Sequence, residues 1–279
     1  MKLIKPSVQI IEQYNHNYDI NSVFKTIELA GRTCYKSEDR ITKDSAKEFV
    51  ERMIKSGHSA MLEHGTVYLT IPIFYTQEVG VLKYELNPYS KLVTTKDYYY
   101  VTTNYRVLVE NNWLSDLKFL SVRNIIHKKR TTVKFICDRG VSHEFVRHRV
   151  FSFAQESTRY CNYSKDKFNN ELTFIIPCWI KDLEEGTYYA YCEYHHAEND
   201  PCKEWFNVCM NAEHVYTNLI EKGWKPQEAR SILPNSLKTE LIMTGFNADW
   251  QNFFKLRCAN NAHPQAKELA DILKEKFNF

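Results

Sequence analysis

Between Arg139 and Ser164 the chain reads RGVSHEFVRHRVFSFAQESTRYCNYS, which sets Arg147, His148, Arg149 and Arg159 around hydroxyl and acidic side chains. Guanidinium forks and backbone N–H groups match phosphate oxygens, and a helix terminus close by would add to the attraction. The chemistry within reach is recognition of a phosphorylated ligand. Arginines are also commonly solvated or paired with neighbours, here Glu144 and Glu156, and on composition alone the two readings stand level. Spacing has to separate them.

Two reactive-looking groups lie in the same stretch. Ser157 has no nucleophile elbow around it, and a serine nucleophile needs a base partner that the sequence does not show. Cys161 is read as structural, and His143 and His263 as lone histidines that satisfy local hydrogen bonds. Farther on, Cys192, His195, His196 and Cys202 could be drawn as zinc ligands, but no CxxC pair accompanies them. No metal site is expected.

The arginine spacing is specific: Arg147-His148-Arg149, seven residues, then Ser157, and after one more residue Arg159-Tyr160. This resembles the RHR-x7-S signature of the flavin-dependent thymidylate synthases, which methylate dUMP with FAD, NAD(P)H and methylene-tetrahydrofolate. Other stretches are similar to that family too: AGRTCY near the start, GHSAMLEHGTVYLTI, EARSILP and NFFKLR. The resemblance covers most of the chain outside a tyrosine-rich stretch at 74–130.

By that resemblance, Arg147, His148 and Arg149 would lie at FAD, with Arg147 also reaching dUMP. The loop of Gln155, Glu156, Ser157 and Arg159 would hold dUMP, with Gln155 also at the flavin, and Glu144 stands in place of the family's nucleotide-contacting Gln or Glu. Arg230 would be a further dUMP ligand and Arg257 the group that polarises the uracil. His64, Thr66, Asn247 and Asn252 would contact the flavin. The resemblance also implies a homotetramer with its sites at subunit interfaces, NADPH or NADH as reductant, and tetrahydrofolate as the second product. The sequence departs from the family at Ala154-Gln155, where many members have Asn-Glu, and in NADWQN, which is one residue short and lacks an arginine.

The residue types suit the chemistry. Carbon 5 of uracil is a poor nucleophile until electron density enters the ring, and a fixed cation beside N3 and a carbonyl oxygen favours the electron-rich form. A permanently charged Arg257 fits that role.

To position these groups, the chain needs a sizeable core, and 279 residues can build one. TKDSAKEFVERMIKSGH predicts a helix, with Ser45 and Glu48 in capping-box spacing and Gly57 at its stop. Val67, Leu69 and Ile71 predict a strand that ends near Pro72, and RTTVKFICDRG predicts another, followed by Ser142 as a helix cap. That helix would carry Glu144, Arg147 and His148, with an extended polar loop from Ser152. The stretch 74–130 reads as an irregular insertion in a single domain spanning 1–279, with one short helix around Trp113 to Val122. The C-terminal part is expected to be largely helical, with helices from Pro201 to Lys222, from Pro226 across Arg230, and from Pro264, and with the segment NADWQNFFKLR ahead of the last. The fold class expected is α/β, a mixed and mainly antiparallel sheet packed with helices.

Composition limits the partners. With 37 Lys and Arg against 34 Asp and Glu, the charge of +3 is far from that of a protein that coats nucleic acid. That weighs against the rival reading, a single-strand binder stacking bases on Tyr98 to Tyr100. A second rival is a flavoprotein of the same fold that has lost synthesis, and the joint presence of Arg159, Arg230 and Arg257 argues against it. No apolar run reaches the roughly 20 residues of a membrane span, no secretion signal is evident, and the eight scattered cysteines read as free thiols, so a soluble cytoplasmic protein is expected.

Overall fold

Val133, Phe135 and Cys137 share one face of a nine-residue strand, where Leu241 and Met243 of the neighbouring strand join them to begin a core. The computed structural model describes residues 1–13, 18–189 and 200–277. Within these, the elements in chain order are β1 (Lys2–Ile4), β2 (Ser7–Ile11), α1 (Ile20–Tyr35), α2 (Ser45–Lys55), β3 (Thr66–Pro72), α3 (Thr76–Val79), α4 (Leu82–Leu86), β4 (Lys91–Thr94), β5 (Tyr98–Asn104), α5 (Tyr105–Glu110), β6 (Arg130–Asp138), α6 (Arg139–Phe145), β7 (Ser152–Gln155), β8 (Thr173–Ile175), β9 (Gly186–Thr187), α7 (Pro201–Glu221), α8 (Pro226–Ala229), β10 (Lys238–Phe246), α9 (Asn247–Arg257) and α10 (Pro264–Phe277). The class is mixed α/β with mainly antiparallel pairing.

The main sheet runs β2-β6-β10-β7, antiparallel throughout, with Leu241 opposite both Phe135 and Gln155. Trp250, Phe253 and Phe254 of α9 and Leu269 and Leu273 of α10 cover one face. Ala30 of α1 meets Ala154 and Ile242 on the other. A second sheet, β3-β5-β4, packs Val67 and Leu69 against Val23 and Ile27 of α1 and Phe49 and Met53 of α2. A third, β8-β1-β9, holds the one parallel pair among the described residues and rests on Phe206, Cys209 and Tyr216 of α7. No helix of the described residues is long and apolar enough to cross a membrane.

Several expectations change in detail. Gly57 stops α2 as predicted, at φ 71° with its N–H on Ile54 O, but the capping box at Ser45 does not form. The Ser45 hydroxyl instead accepts from Thr42 N and donates to Glu28. Helix α6 is capped by Asp138, whose Oδ1 accepts from Val141 N at 2.7 Å, while Ser142 lies one turn inside and donates to Arg139 O. Asp caps as well as Ser, and here it stands at the strand's end. Because α6 ends at Phe145, Arg147 and His148 lie in the turn after it. Ser152 begins a strand, where a loop was expected, with Ser152 and Ala154 turned inward against β10. The stretch 74–130 is regular: Val and Thr beside the tyrosines suit a strand, and β5 pairs with β3 from Tyr98 opposite Pro72 to Asn104 opposite Thr66. The helix expected near Trp113 is a 3-10 turn at Leu114–Phe119.

The seven described cysteines are unpaired, and Cys137, Cys161 and Cys209 are buried. Burial pushes the Cys161 thiol up to about 12, which leaves no thiolate for attack at neutral pH. Cys192, His195 and His196 lie outside the described residues, and the described residues hold no cluster able to bind a metal.

Candidate active site

Arg257 ends α9, and its guanidinium is fixed on three sides. Its Nε donates to His148 Nε2 at 2.9 Å, one terminal nitrogen donates to Glu144 Oε2 at 2.6 Å, and the other donates to the Glu144 carbonyl. Glu144 comes from α6 and His148 from the turn behind it, so strand β6, helix α6 and helix α9 together build the seat. Arg257 holds the Glu144 carboxyl below its ordinary range. Burial, and then the Arg257 charge, push His148 down to about 4, so its ring is neutral at pH 7 and accepts at Nε2. Glu144 and Arg257 line a cleft of about 570 Å³ with Lys255, Asn261 and His263.

The loop after β7 forms a second cluster. Arg230 donates to Thr158 Oγ1 at 3.3 Å, and Arg159 donates through Nε to Gln227 Oε1 at 3.2 Å, so segments about 70 residues apart place two exposed guanidinium groups beside Ser157. The backbone there is pinned, since Ser157 N donates to Cys34 O and Cys161 N to Ser157 O. Glu156 turns inward: 2 % exposed, its carboxylate accepts from Tyr163 and from Lys238 at 2.8 Å. Lys238 also holds Glu240, which pairs with Lys36 and Lys134 as well. Although burial alone would raise it, the lysines hold the Glu240 carboxyl far below its usual range. Gln155 commits its amide to Ser142 and Thr239.

A cleft of about 800 Å³ forms the third part, between the stretch 74–130 and the end of the main sheet. Arg130 lies at its side, donating to Glu63 O, Thr66 Oγ1 and Ser152 Oγ, with its guanidinium 5.6 Å from the Phe246 ring centre. His64 and Thr66, expected at the flavin, are 0 % and 1 % exposed and stand behind this arginine. Burial and the Arg130 charge lower His64 to about 3. Arg149 lines the cleft directly. Asn247 accepts from Thr131 Oγ1 at 2.7 Å, and Asn252 is exposed on α9. Tyr98 is partly exposed, whereas Tyr100 is buried against His127, so these two tyrosines do not form one stacking platform.

Thus Glu144, His148 and Arg257 converge, as do Ser157, Arg159 and Arg230. Arg147 is exposed beside the first group. Sequence reasoning missed Arg130 and Lys91, both of which line the large cleft. The signal for Arg130 was an arginine opening a strand whose Val133, Phe135 and Cys137 face a core; for Lys91 there was none.

The cleft's donor set fits a dinucleotide: Arg149, Arg130 and Lys91 supply positive charge, Ser152 a hydroxyl, and Tyr89 and Phe246 aromatic faces.

Comparison with known proteins gives three findings. Among solved structures, the UMP/dUMP methylase PolB from Streptomyces cacaoi, bound with 5-Br dUMP, aligns with a TM-score of 0.44 at 16% identity, covering 99% of this chain and 92% of that one. Among curated proteins, the flavin-dependent thymidylate synthase of Pyrococcus furiosus is 31% identical over 141 residues, 50% of this chain and 51% of that protein, so the match spans about half its length. That of Corynebacterium aurimucosum is 23% identical over 251 residues, 88% of this chain and 71% of the relative. The family model described as thymidylate synthase complementing protein matches residues 109–278, well over half of the chain, and the chain belongs to that family.

Proposed function

We propose that the protein is a flavin-dependent thymidylate synthase that methylates dUMP to dTMP, with methylene-tetrahydrofolate as carbon donor and NADPH or NADH as reductant. The observation that supports this most is the contact of Arg257 with His148, two residues from separate motifs, completed by Glu144. A guanidinium that shares its charge with only one carboxylate, and is held rigid by it, keeps donors for a second acceptor. Placed against N3 and a carbonyl of uracil, Arg257 would favour the ring's electron-rich form and activate carbon 5. His148, neutral, orients Arg257 without adding a competing charge.

Arg159 and Arg230 take the dUMP phosphate, with Ser157 offering hydroxyl and backbone, and Arg147 reaching the same nucleotide. Glu156 serves by holding the loop, since its carboxylate is already bonded to Lys238 and Tyr163. FAD, when bound, supplies the redox chemistry. Arg149 and Arg130 would meet it in the large cleft, with Thr66 and His64 supporting Arg130 from behind, and with His148, Gln155, Asn247 and Asn252 completing the set. In this reading 74–130 is an insertion that supplies one wall of that cleft.

The purified protein should be yellow with a flavin spectrum and should convert dUMP to dTMP. Arg257→Ala should lower kcat by about a hundredfold or more, as loss of a charge-stabilising donor does, while still binding FAD. A colourless protein that FAD cannot reconstitute would sink the reading. Unimpaired turnover in Arg257→Ala would remove that residue from its role.

A further inference from the structure

The outer wall of the 800 Å³ cleft is a turn at 87–91 that no motif assigned. Asn87 organises it: its side-chain oxygen accepts from Tyr89 N at 2.9 Å and from the Ser90 hydroxyl at 3.1 Å, and Ser90 N donates to Asn87 O. The Ser90 hydroxyl also reaches Thr103 Oγ1 at 2.8 Å, which ties the turn to β5. The turn therefore presents Tyr89 and Lys91 from a fixed backbone. Tyr89 keeps 64% of its surface exposed beside the cleft, and the Lys91 ammonium stands 5.8 Å from the centre of the same Phe246 ring that Arg130 covers.

The charges in the cleft are uneven. Of its carboxylates, Glu63 and Glu110 are both engaged by Arg106, at 2.5 and 2.8 Å. Asp249 is turned to its own helix, accepting from Phe246 N, and burial raises its pKa. Lys91 and Arg149 have no ion-pair partner among the described residues, and both line this cleft of ligand size together with Arg130.

Resting on the reading above, we propose that Tyr89 and Lys91 bind the adenosine diphosphate half of FAD: Lys91 the diphosphate, jointly with Arg149, and the Tyr89 ring the adenine face. Cationic groups brought to one cleft by separate elements suit a diphosphate, and an exposed aromatic beside it suits a stacked base. The stretch 74–130 thereby becomes part of the cofactor site.

Equilibrium titration of apoprotein, followed by flavin fluorescence, tests this with FAD and riboflavin as probes. Lys91→Gln should weaken FAD by about fivefold to tenfold, with Lys91→Arg restoring most of it and the effect shrinking at high salt. Tyr89→Ala should weaken FAD by a similar factor. Riboflavin, which lacks the whole adenosine diphosphate half, should bind the wild type and both variants alike. Unchanged FAD affinity in Lys91→Gln, an equal loss for riboflavin, or a change confined to NADPH would each overturn the assignment while leaving the thymidylate synthase reading intact. A wild-type protein that binds no FAD would overturn both.

Discussion

Arg257 and His148 show how two side chains set each other's state. The histidine accepts from a cation, so protonating it would require breaking that bond and placing two positive charges together. Unfolded, the same ring titrates near 6.5; folded, near 4. A depressed folded pKa gives stability that is complete above 6.5 and lost as pH falls toward 4. His64 acts in the same direction, down to about 3. Each ring contributes up to about 1.4 kcal/mol of lost stability per pH unit in that window. Urea midpoints measured at pH 7 and pH 5 should therefore differ less in His148→Gln than in the wild type; identical pH dependence in the two would refute the neutral histidine. The motif made His148 visible in the sequence. Its partner and charge state were not, because both depend on a residue 109 positions away.

At the scale of elements, β10 carries the site's framework. It pairs with β6 along its length and with β7 from Leu241 to Thr244, and its last residues form part of the large cleft. Gly245 there has Phe151 against it: a Cβ would fall 2.5 Å from a ring carbon. Gly245→Ala should cost about 1–3 kcal/mol of stability through overpacking, read as a lowered thermal midpoint, and an unchanged midpoint would show that Phe151 can shift freely. This strand was illegible in the sequence for a physical reason. TELIMTG is buried on both faces and so shows no alternation, whereas β3 and β6 announced themselves through Val67, Leu69 and Ile71, and through Val133, Phe135 and Cys137. Helix α2 was legible from its periodicity and its Gly57 boundary, and α10 from its start at Pro264. Arg159 and Arg230 were legible as types in a motif, but the bonds that bring their segments together, Arg230 to Thr158 and Arg159 to Gln227, needed the fold.

Across the whole molecule, one protomer presents three groups: Arg257 with Glu144, Arg159 with Arg230, and the Arg130 cleft. Joining such groups from several copies is what the homotetramer implied by the family resemblance would do. Light scattering should give four times the protomer mass, and dilution into smaller species should lower FAD affinity and turnover together. A fully active monomer would exclude shared sites. The buried cysteines add a property of another kind. Cys137, Cys161 and Cys209 lie in two separate cores and are 0–1 % exposed, so an alkylating reagent reaches them only when the surrounding core opens. The molecule thus carries its own clocks: the labelling rate of Cys137 times the opening of the main sheet, and that of Cys161 and Cys209 the opening beneath α7. A mass spectrometer can read the two in a single native-state experiment.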